Sequence, residues 1–464
     1  MTGSSPCSRK WFIVRLLATV GLSMLAKASP AAPQLSNISL RGLKIGSTTT
    51  LTIEGADLLP DPRVVLSVPI ASQTIHSGAT ASRCEVDVKL GQRIAPGFYN
   101  LRVANAKGIS NALVISIDTL EQMPFASGVM SLPTALHGSL GDSPSLKTSF
   151  AGKKGQHLIV DIEARRLGAA FDPVLELYNP AHVLMAIAQP QQSLGGDARL
   201  QAVLPADGSY GVELHDLLYR PGEPRFFRLK LGELCYADLV FPMGARRSTT
   251  RSFELIGNSP SSPPSVNMEL RTFLPELPGS LPVRPGATGP APPILVSDFP
   301  EIEETPQPPG KLQEVAVPVI INGRISAPGE VDRYLVHVKA GMRLRFDLIA
   351  NRAGSALDAV LELRNESGAL QAESDDRQDS GRLGFTQEFD RSVEVSVVGE
   401  RERWHIERLG ALYQVRDLAG AVQEAVMAVA MKMHEGLAGH RRVSVLRWPL
   451  VPRAAGTPCE GRAR

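Results

Sequence analysis

The chain has 464 residues, with 49 Lys and Arg against 47 Asp and Glu and a formal net charge of +2. So even a balance gives no electrostatic case for nucleic acid as a partner. The length accommodates several domains of roughly 100–150 residues each.

The first residues are expected to be a targeting segment. Arg9 and Lys10 form a basic start, Trp11 to Leu25 is mostly apolar and broken by Arg15, and Ala26-Lys27-Ala28 has the A-x-A form of a cleavage site. Residues 1–28 therefore read as a secretory signal peptide, with a retained membrane anchor as the competing reading. The apolar run is shorter than the ~18–20 residues of a spanning helix, and no later stretch reads as a span. The product is expected to be secreted, periplasmic or at the cell envelope. Of the four cysteines, Cys7 lies in this segment, and Cys84, Cys235 and Cys459 are isolated, with no C-x-x-C pair. Zinc is not expected. One disulfide among these three suits an oxidising compartment, whether or not it joins Cys84 to Cys235, and the odd count leaves at least one thiol over.

From about Pro33 the pattern is β. In "TTLTIEG" (49–55) Leu51 and Ile53 alternate with Thr50, Thr52 and Glu54, and "YNLRVAN" (99–105) and "LVISID" (113–118) repeat the alternation. Residues 33–120 read as a small sandwich. A second block, 129–234, carries "HLIVDIEA" (157–164), "PVLELYN", "YGVELH" and "FFRLKLG" (226–232). In the last, Phe227, Leu229 and Leu231 face inward and Arg228 and Lys230 outward. A third block, 235–310, begins with "FPMGARRSTTRSFELIGN" (241–258), an outline copy of "LKIGSTTTLTIEGADL" (43–58). It then becomes proline-rich, with 14 prolines between Asn258 and Gly310. That composition reads as a degenerate sandwich and an extended linker.

The fourth block, 311–418, copies the second. "DIEARRLGAAFDPVLELYN" (161–179) and "DLIANRAGSALDAVLELRN" (347–365) match at 11 of 19 positions at a constant offset of 186 residues. The period is far longer than that of solenoid repeats, so whole domains are duplicated. "VEVSVV" (393–398) and "LYQVRD" (412–417) read as the closing strands. Beyond, in 419–464, Val422, Ala425, Val426, Val429 and Met433 fall on one face of a helix, followed by a basic tail read as poorly ordered.

Blocks two and four resemble the bacterial pre-peptidase C-terminal domain family. The residues carrying this are Gly323 in "NGRIS", "DRYLVHVKAGMRLRFDL", "LDAVLELRNESGAL" with the hairpin Asn365-Glu366-Ser367-Gly368, "ESDDRQDSG" and the late "VEVSV" strand. Blocks one and three more loosely resemble immunoglobulin-like IPT/TIG sandwiches. The resemblances imply tandem Ig-like and jelly-roll-like sandwiches, so with the stripe in 422–433 the chain is expected to be all-β with a short C-terminal helix. They imply a secreted accessory protein, some relatives being linked to matrix, carbohydrate or calcium. A domain resemblance does not by itself carry a function.

Candidate site residues are few. "ESDDRQDSG" places Glu373, Asp375, Asp376 and Asp379 within nine residues. They read as a solvated turn, since Arg377 and Arg382 supply countercharge, with calcium ligation by these four acids as the competing reading. Asp172 and Asp358 open their "VLEL" strands and read as loop carboxylates accepting backbone N–H bonds. Glu176 and Glu362 read as solvated. There is no H-E-x-x-H, G-x-S-x-G or Walker sequence. No catalytic residue is assigned, and no cofactor beyond calcium. The expected function is a non-catalytic binding, adhesion or scaffold module, its partner an envelope glycan or protein. The alternative is an accessory region of a secreted hydrolase or peptidase.

Overall fold

The computed structural model describes residues 31–129, 131–258, 265–269, 279–280, 286–308, 311–327, 330–339, 341–350, 353–374, 386–389, 393–400 and 425–434. The expected signal peptide lies outside them. No helix among them is long and apolar enough to cross a membrane. They are nearly all strand, as the alternation predicted, and build tandem β-sandwiches.

The chain forms two compact units. The smaller holds the described residues up to Ser39 with Thr48–Leu90 and Tyr99–Val114, and the larger holds Leu40–Ser47, Gly91–Phe98 and the chain from Ile115 onward. In the smaller unit one sheet runs in the order Gln34–Ile38, Thr48–Ala56, Arg83–Leu90, Ile70–Ile75. Its alternate residues Leu51, Ile53, Val86 and Val88 are fully buried. The first strand bulges between Leu35 and Asn37. Opposite the bulge stands Gly55, because a Cβ there would run into the carbonyl of Gln34.

The third block, within the larger unit, repeats this device 202 residues later. Tyr236–Phe241 bulges between Ala237 and Leu239 against Thr250–Asn258. Gly257 meets the carbonyl of Tyr236 as Gly55 meets that of Gln34. The proline-rich stretch is not wholly linker. Pro293–Ser297 pairs with Gly244–Arg246 on one side and Gly279–Ser280 on the other, with Ile294 fully buried. The prolines at 290, 292 and 293 gather at the strand's start, where a missing N–H matters least.

The second and fourth blocks, which reach beyond the bounds read from the sequence to 121 at one start and to 301 and 434 at the other's ends, each contribute ten strands. In the second they are β1 (Glu121–Pro124), β2 (Gly128–Val129), β3 (Thr134–Ser139), β4 (Ser145–Gly152), β5 (His157–Glu163), β6 (Pro173–Tyr178), β7 (Leu184–Ala188), β8 (Arg199–Val203), β9 (Gly208–Asp216) and β10 (Phe226–Gly232). In the fourth they are β11 (Glu301–Glu303), β12 (Gln313–Val315), β13 (Val319–Ile325), β14 (Val331–Val336), β15 (Met342–Ile349), β16 (Asp358–Asn365), β17 (Leu370–Ser374), β18 (Thr386–Phe389), β19 (Val393–Glu400) and β20 (Ala425–His434). The first copy has sheets β1-β3-β10-β5-β8 and β2-β4-β9-β6-β7. The second has β11-β13-β20-β15-β18 and β12-β14-β19-β16-β17. Every neighbour in one copy is reproduced ten strands later in the other.

The expected C-terminal helix is therefore strand β20. It lies between β13 and β15, antiparallel to both, and takes the place that β10 holds in the first copy. The sequence "AVMAVAMKMH" satisfies a helical stripe, but Met427, Val429, Met431 and Met433 also alternate with period two. Register sets Val429 opposite Ile321 and Leu348, both core residues. Two flanking strands with open ladder groups decide in favour of the strand. "LYQVRD" lies outside the described residues.

The expected Asn-x-x-Gly hairpin is present in the second copy, and the first copy makes the same turn with His182 in place of the glycine. Asn365 accepts the N–H groups of Ser367 and Ala369, and Gly368 has φ +78°. Asn179 likewise accepts from Ala181 and Val183, with His182 at φ +59°.

A polar pin precedes each copy. The N–H of Arg41 donates to His137 Nδ1 at 3.0 Å, and His137 Nε2 meets Gln122 Oε1 at 2.8 Å. The N–H of Met243 donates to Asn322 Oδ1 at 3.0 Å, and Asn322 Nδ2 donates to Glu301 Oε2 at 3.1 Å. Burial, with Arg228 and Arg41 adding, holds His137 well below its usual pKa, so it is neutral. Since Nδ1 accepts, Nε2 carries the proton and donates to Gln122. His137→Asn is accordingly expected to cost less than about 1 kcal/mol. His137→Leu removes the acceptor of the Arg41 N–H and is expected to cost about 1–3 kcal/mol in chemical denaturation.

Candidate functional site

Of the four predicted calcium ligands, Asp375, Asp376 and Asp379 lie outside the described residues. Glu373 is exposed on β17. Asp172 does not receive backbone N–H bonds in any described contact. Its own N–H donates to Asp216, which also accepts from Leu218 and Arg220, so the capping carboxylate is Asp216. Asp172 faces Arg165 at 3.5 Å instead. The Asp358 side chain is not among the described ones. Glu176 is not solvated. It is half-buried and accepts the Tyr178 hydroxyl at 2.6 Å. Glu362 pairs with Arg364 at 2.8 Å. Cys84 and Cys235 are buried thiols rather than a disulfide.

The largest concentration of charge was not expected. Asp161 and Glu163 of β5 and Arg228 and Lys230 of β10 share one face of their sheet, and all four are buried. Arg228 reaches Asp118 at 2.7 Å and Glu163 at 2.8 Å. Lys230 reaches Asp161 and Glu163, each at 2.7 Å. Arg166 bridges Asp161 at 2.8 Å and Asp197 at 2.6 Å, and Arg199 reaches Asp238 at 2.7 Å. Burial alone would raise the Asp161 carboxyl, but Arg199, Lys230 and Arg166 pull it far below the usual carboxylate range. Burial opposes and Lys230 and Arg228 win at Glu163 also, which falls to about 2. Both carboxylates are thus ionised and matched, which is the state of a structural ion network rather than a proton donor. Alternation had placed Arg228 and Lys230 on the outward face, correctly. What covers that face comes from far along the chain, including Asp118 and the Thr288 carbonyl.

The second copy holds a different arrangement, a candidate metal centre. Glu304 follows β11, Glu330 precedes β14 and Asp332 lies within β14. One carboxylate oxygen from each falls within 4.8 Å of the others. Backbone N–H groups aim two of them: Arg324 donates to Glu304 at 3.0 Å, and Ala327 donates to Glu330 at 2.8 Å. Asp332 is only 7 % exposed, and among the described residues its Oδ2 meets no donor and its carboxyl lies against that of Glu304 instead. Burial first, then Glu304 and Glu330, pushes its carboxyl up to about 8. Two residues along the same strand face, the Tyr334 hydroxyl is also buried, without a hydrogen-bond partner among the described residues. Burial and the neighbouring Asp332 and Glu304 push its pKa up as well.

An orphaned buried carboxylate oxygen beside two more carboxylates fits a hard cation. Calcium accepts such an oxygen-only set from several chain segments. The first copy supplies an internal comparison. By ladder register Asp332 corresponds to Leu146 and Glu330 to Pro144, and Glu304 occupies the place of Phe125. Phe125 and Leu146 pack against their core. The fold therefore does not require acid at these places. Comparing the two copies position by position beyond the quoted repeat was the available sequence signal. Glu304 lies 26 residues before Glu330 and 28 before Asp332, and the three form no motif.

No family model matches the chain, and no curated protein does. Solved structures similar to parts of it include the pre-peptidase C-terminal domain of a Bacillus anthracis collagenase. The identity is 9 %, the TM-score 0.20, and the match covers 27 % of this chain and all of that one. PliG of Aeromonas hydrophila, a periplasmic inhibitor of g-type lysozyme, is 18 % identical with a TM-score of 0.17 over 24 % of this chain and 98 % of its own. SGBP-B of a Bacteroides ovatus mixed-linkage glucan utilization locus, solved with a mixed-linkage heptasaccharide, is 9 % identical. Its TM-score is 0.18 over 79 % of this chain and 75 % of its own. Identities this low leave the chemistry of this chain to its own residues.

Proposed function

We propose that this protein is an exported, non-catalytic binding or scaffold module of the cell envelope, and that its last sandwich takes calcium at Glu304, Glu330 and Asp332. The observation that carries the reading is the duplication itself. One ten-strand framework occurs twice with its strand order unchanged, and the chemistry mounted on it differs. Ions fill one sheet face of the first copy, and an acidic trio replaces apolar residues in the second. A framework kept constant while its side chains change is that of a binding scaffold. Two such scaffolds on one chain also gain avidity through effective concentration.

The test is capture from envelope extract by the purified chain beginning at Ser29, with calcium and with chelator. Retention of an envelope glycan or structural protein, reduced by chelator, is the expected result. Retention of a hydrolase instead would establish the accessory reading. Hydrolysis of a captured polymer by this chain alone would sink both.

A further inference from the structure

The outer face of sheet β2-β4-β9-β6-β7 carries a feature that neither the ion network nor the acidic trio uses. The turn after β9 holds Tyr219 at φ +55°, a left-handed conformation that is strained for a bulky side chain. Asp216 enforces it: its carboxylate accepts the N–H groups of Leu218 at 2.9 Å and Arg220 at 3.1 Å, and its carbonyl accepts that of Tyr219 at 2.9 Å. The result is a ring 55 % exposed, lying flat on His215 with centroids 4.3 Å apart and planes 7° from parallel. His215 is itself buried and donates from Nδ1 to the Asp216 carbonyl at 2.9 Å. Beside this stack Glu176 holds the Tyr178 hydroxyl, and its other oxygen lies 3.8 Å from His215 Nε2. Glu213 stands opposite Glu176 in the ladder and pairs with Lys147. A pinned backbone, a strained residue and a backed ring in solvent are a built platform.

We propose that this platform is a carbohydrate subsite, and that Tyr219 stacks on the C–H face of one neutral pyranose ring of an envelope polysaccharide. A ring face offers sequence-tolerant stacking to any flat apolar surface. Glu176 and Glu213 supply acceptors for the hydroxyl rim of a sugar. Lys147 balances Glu213, so Glu176 is the carboxylate that disfavours a phosphate or uronate and favours a neutral ligand over a nucleotide or an anionic polymer. The platform belongs to the first copy alone: register sets Val398 at the place of His215, Ser396 at that of Glu213 and Arg364 at that of Tyr178. The inference rests on the binding-module reading and names its ligand class.

The experiment is calorimetric titration of the chain from Ser29 with neutral hexasaccharides (β-1,4-gluco, β-1,3-gluco and β-1,4-xylo) and with hexagalacturonate as the anionic control. At least one neutral sugar should bind and the uronate should not. Tyr219→Phe should keep the affinity within about threefold, and Tyr219→Gly should lower it at least tenfold, on the order of one lost ring stack. Because glycine accepts a positive φ, the Tyr219→Gly chain should melt no lower than the wild type, which separates loss of the platform from loss of the fold. Binding of no neutral sugar, preference for the uronate, or unchanged affinity in Tyr219→Gly would overturn the proposal. A chain that binds no sugar yet retains an envelope protein would remove this subsite and leave the binding-module reading standing.

Discussion

Replacing Arg228 with alanine is expected to destabilise the first duplicated sandwich by about 3–5 kcal/mol, read as a lower midpoint of its denaturant transition. Arg228 is fully buried and is hydrogen-bonded to Asp118 and Glu163, which are also fully buried. Its removal leaves the Asp118 and Glu163 carboxylates buried in a low dielectric, with Lys230 still paired to Glu163 but no ion pair left to Asp118 among the described contacts. The second copy, which keeps Asp347 at the place of Asp161, indicates how the face can be made with fewer charges. At the same register Ile349 stands for Glu163, Ala428 for Arg228, Ala430 for Lys230 and Ser297 for Asp118. The quadruple change Asp118→Ser, Glu163→Ile, Arg228→Ala, Lys230→Ala removes two charges of each sign. It is expected to cost less than Arg228→Ala alone, because no ion is left unmatched. A quadruple variant at least as unstable as the single one would mean that the network is worth more than its apolar replacement.

Calcium at 1 mM is expected to raise the melting temperature of the second duplicated sandwich by several degrees. If that concentration is a hundredfold above Kd, binding to the native state alone contributes about 2.7 kcal/mol. The acid–base sign follows from Asp332. Its carboxyl is raised to about 8 in the folded state, above the ordinary 3.8. The folded chain therefore binds more protons than the unfolded one between roughly pH 4 and 8, and metal-free stability falls as pH rises through that window. Calcium replaces the proton, so its effect should grow from pH 5 to pH 8. Asp332→Leu, the residue found at this place in the first copy, should remove both the calcium effect and the pH slope, and should be more stable than the wild type in chelator at pH 8. Persistence of the calcium shift in Asp332→Leu, with its loss in Asp375→Asn combined with Asp376→Asn, would move the cation to the loop that the sequence first suggested.

The sequence by itself determined the local alternation, the all-β class and the duplication, because these depend on residues close in the chain or on identity at a constant offset. Leu51 with Ile53, Leu229 with Leu231, and Asn365 with Gly368 each signal their conformation within a few residues. Residues 425–434 show where this fails. The segment satisfies a period of 3.6 and a period of 2 together, and the ladders offered by β13 and β15 choose between them. The sites failed to show for the same reason. Arg228 and Lys230 alternate outward as any solvated pair would, and only chain 58 to 112 residues away covers them. Glu304, Glu330 and Asp332 are ordinary surface acids in sequence. They become a metal-like cluster because β11 runs parallel beside β13 while β14 opens across from it, which brings three carboxylates nearer than water-screened charges would settle unaided. Tyr219 likewise carries no motif. Its strain comes from one carboxylate, Asp216, whose bonds to Leu218 and Arg220 are local in the chain but whose bond from the Asp172 N–H, across the paired β6 and β9, is not.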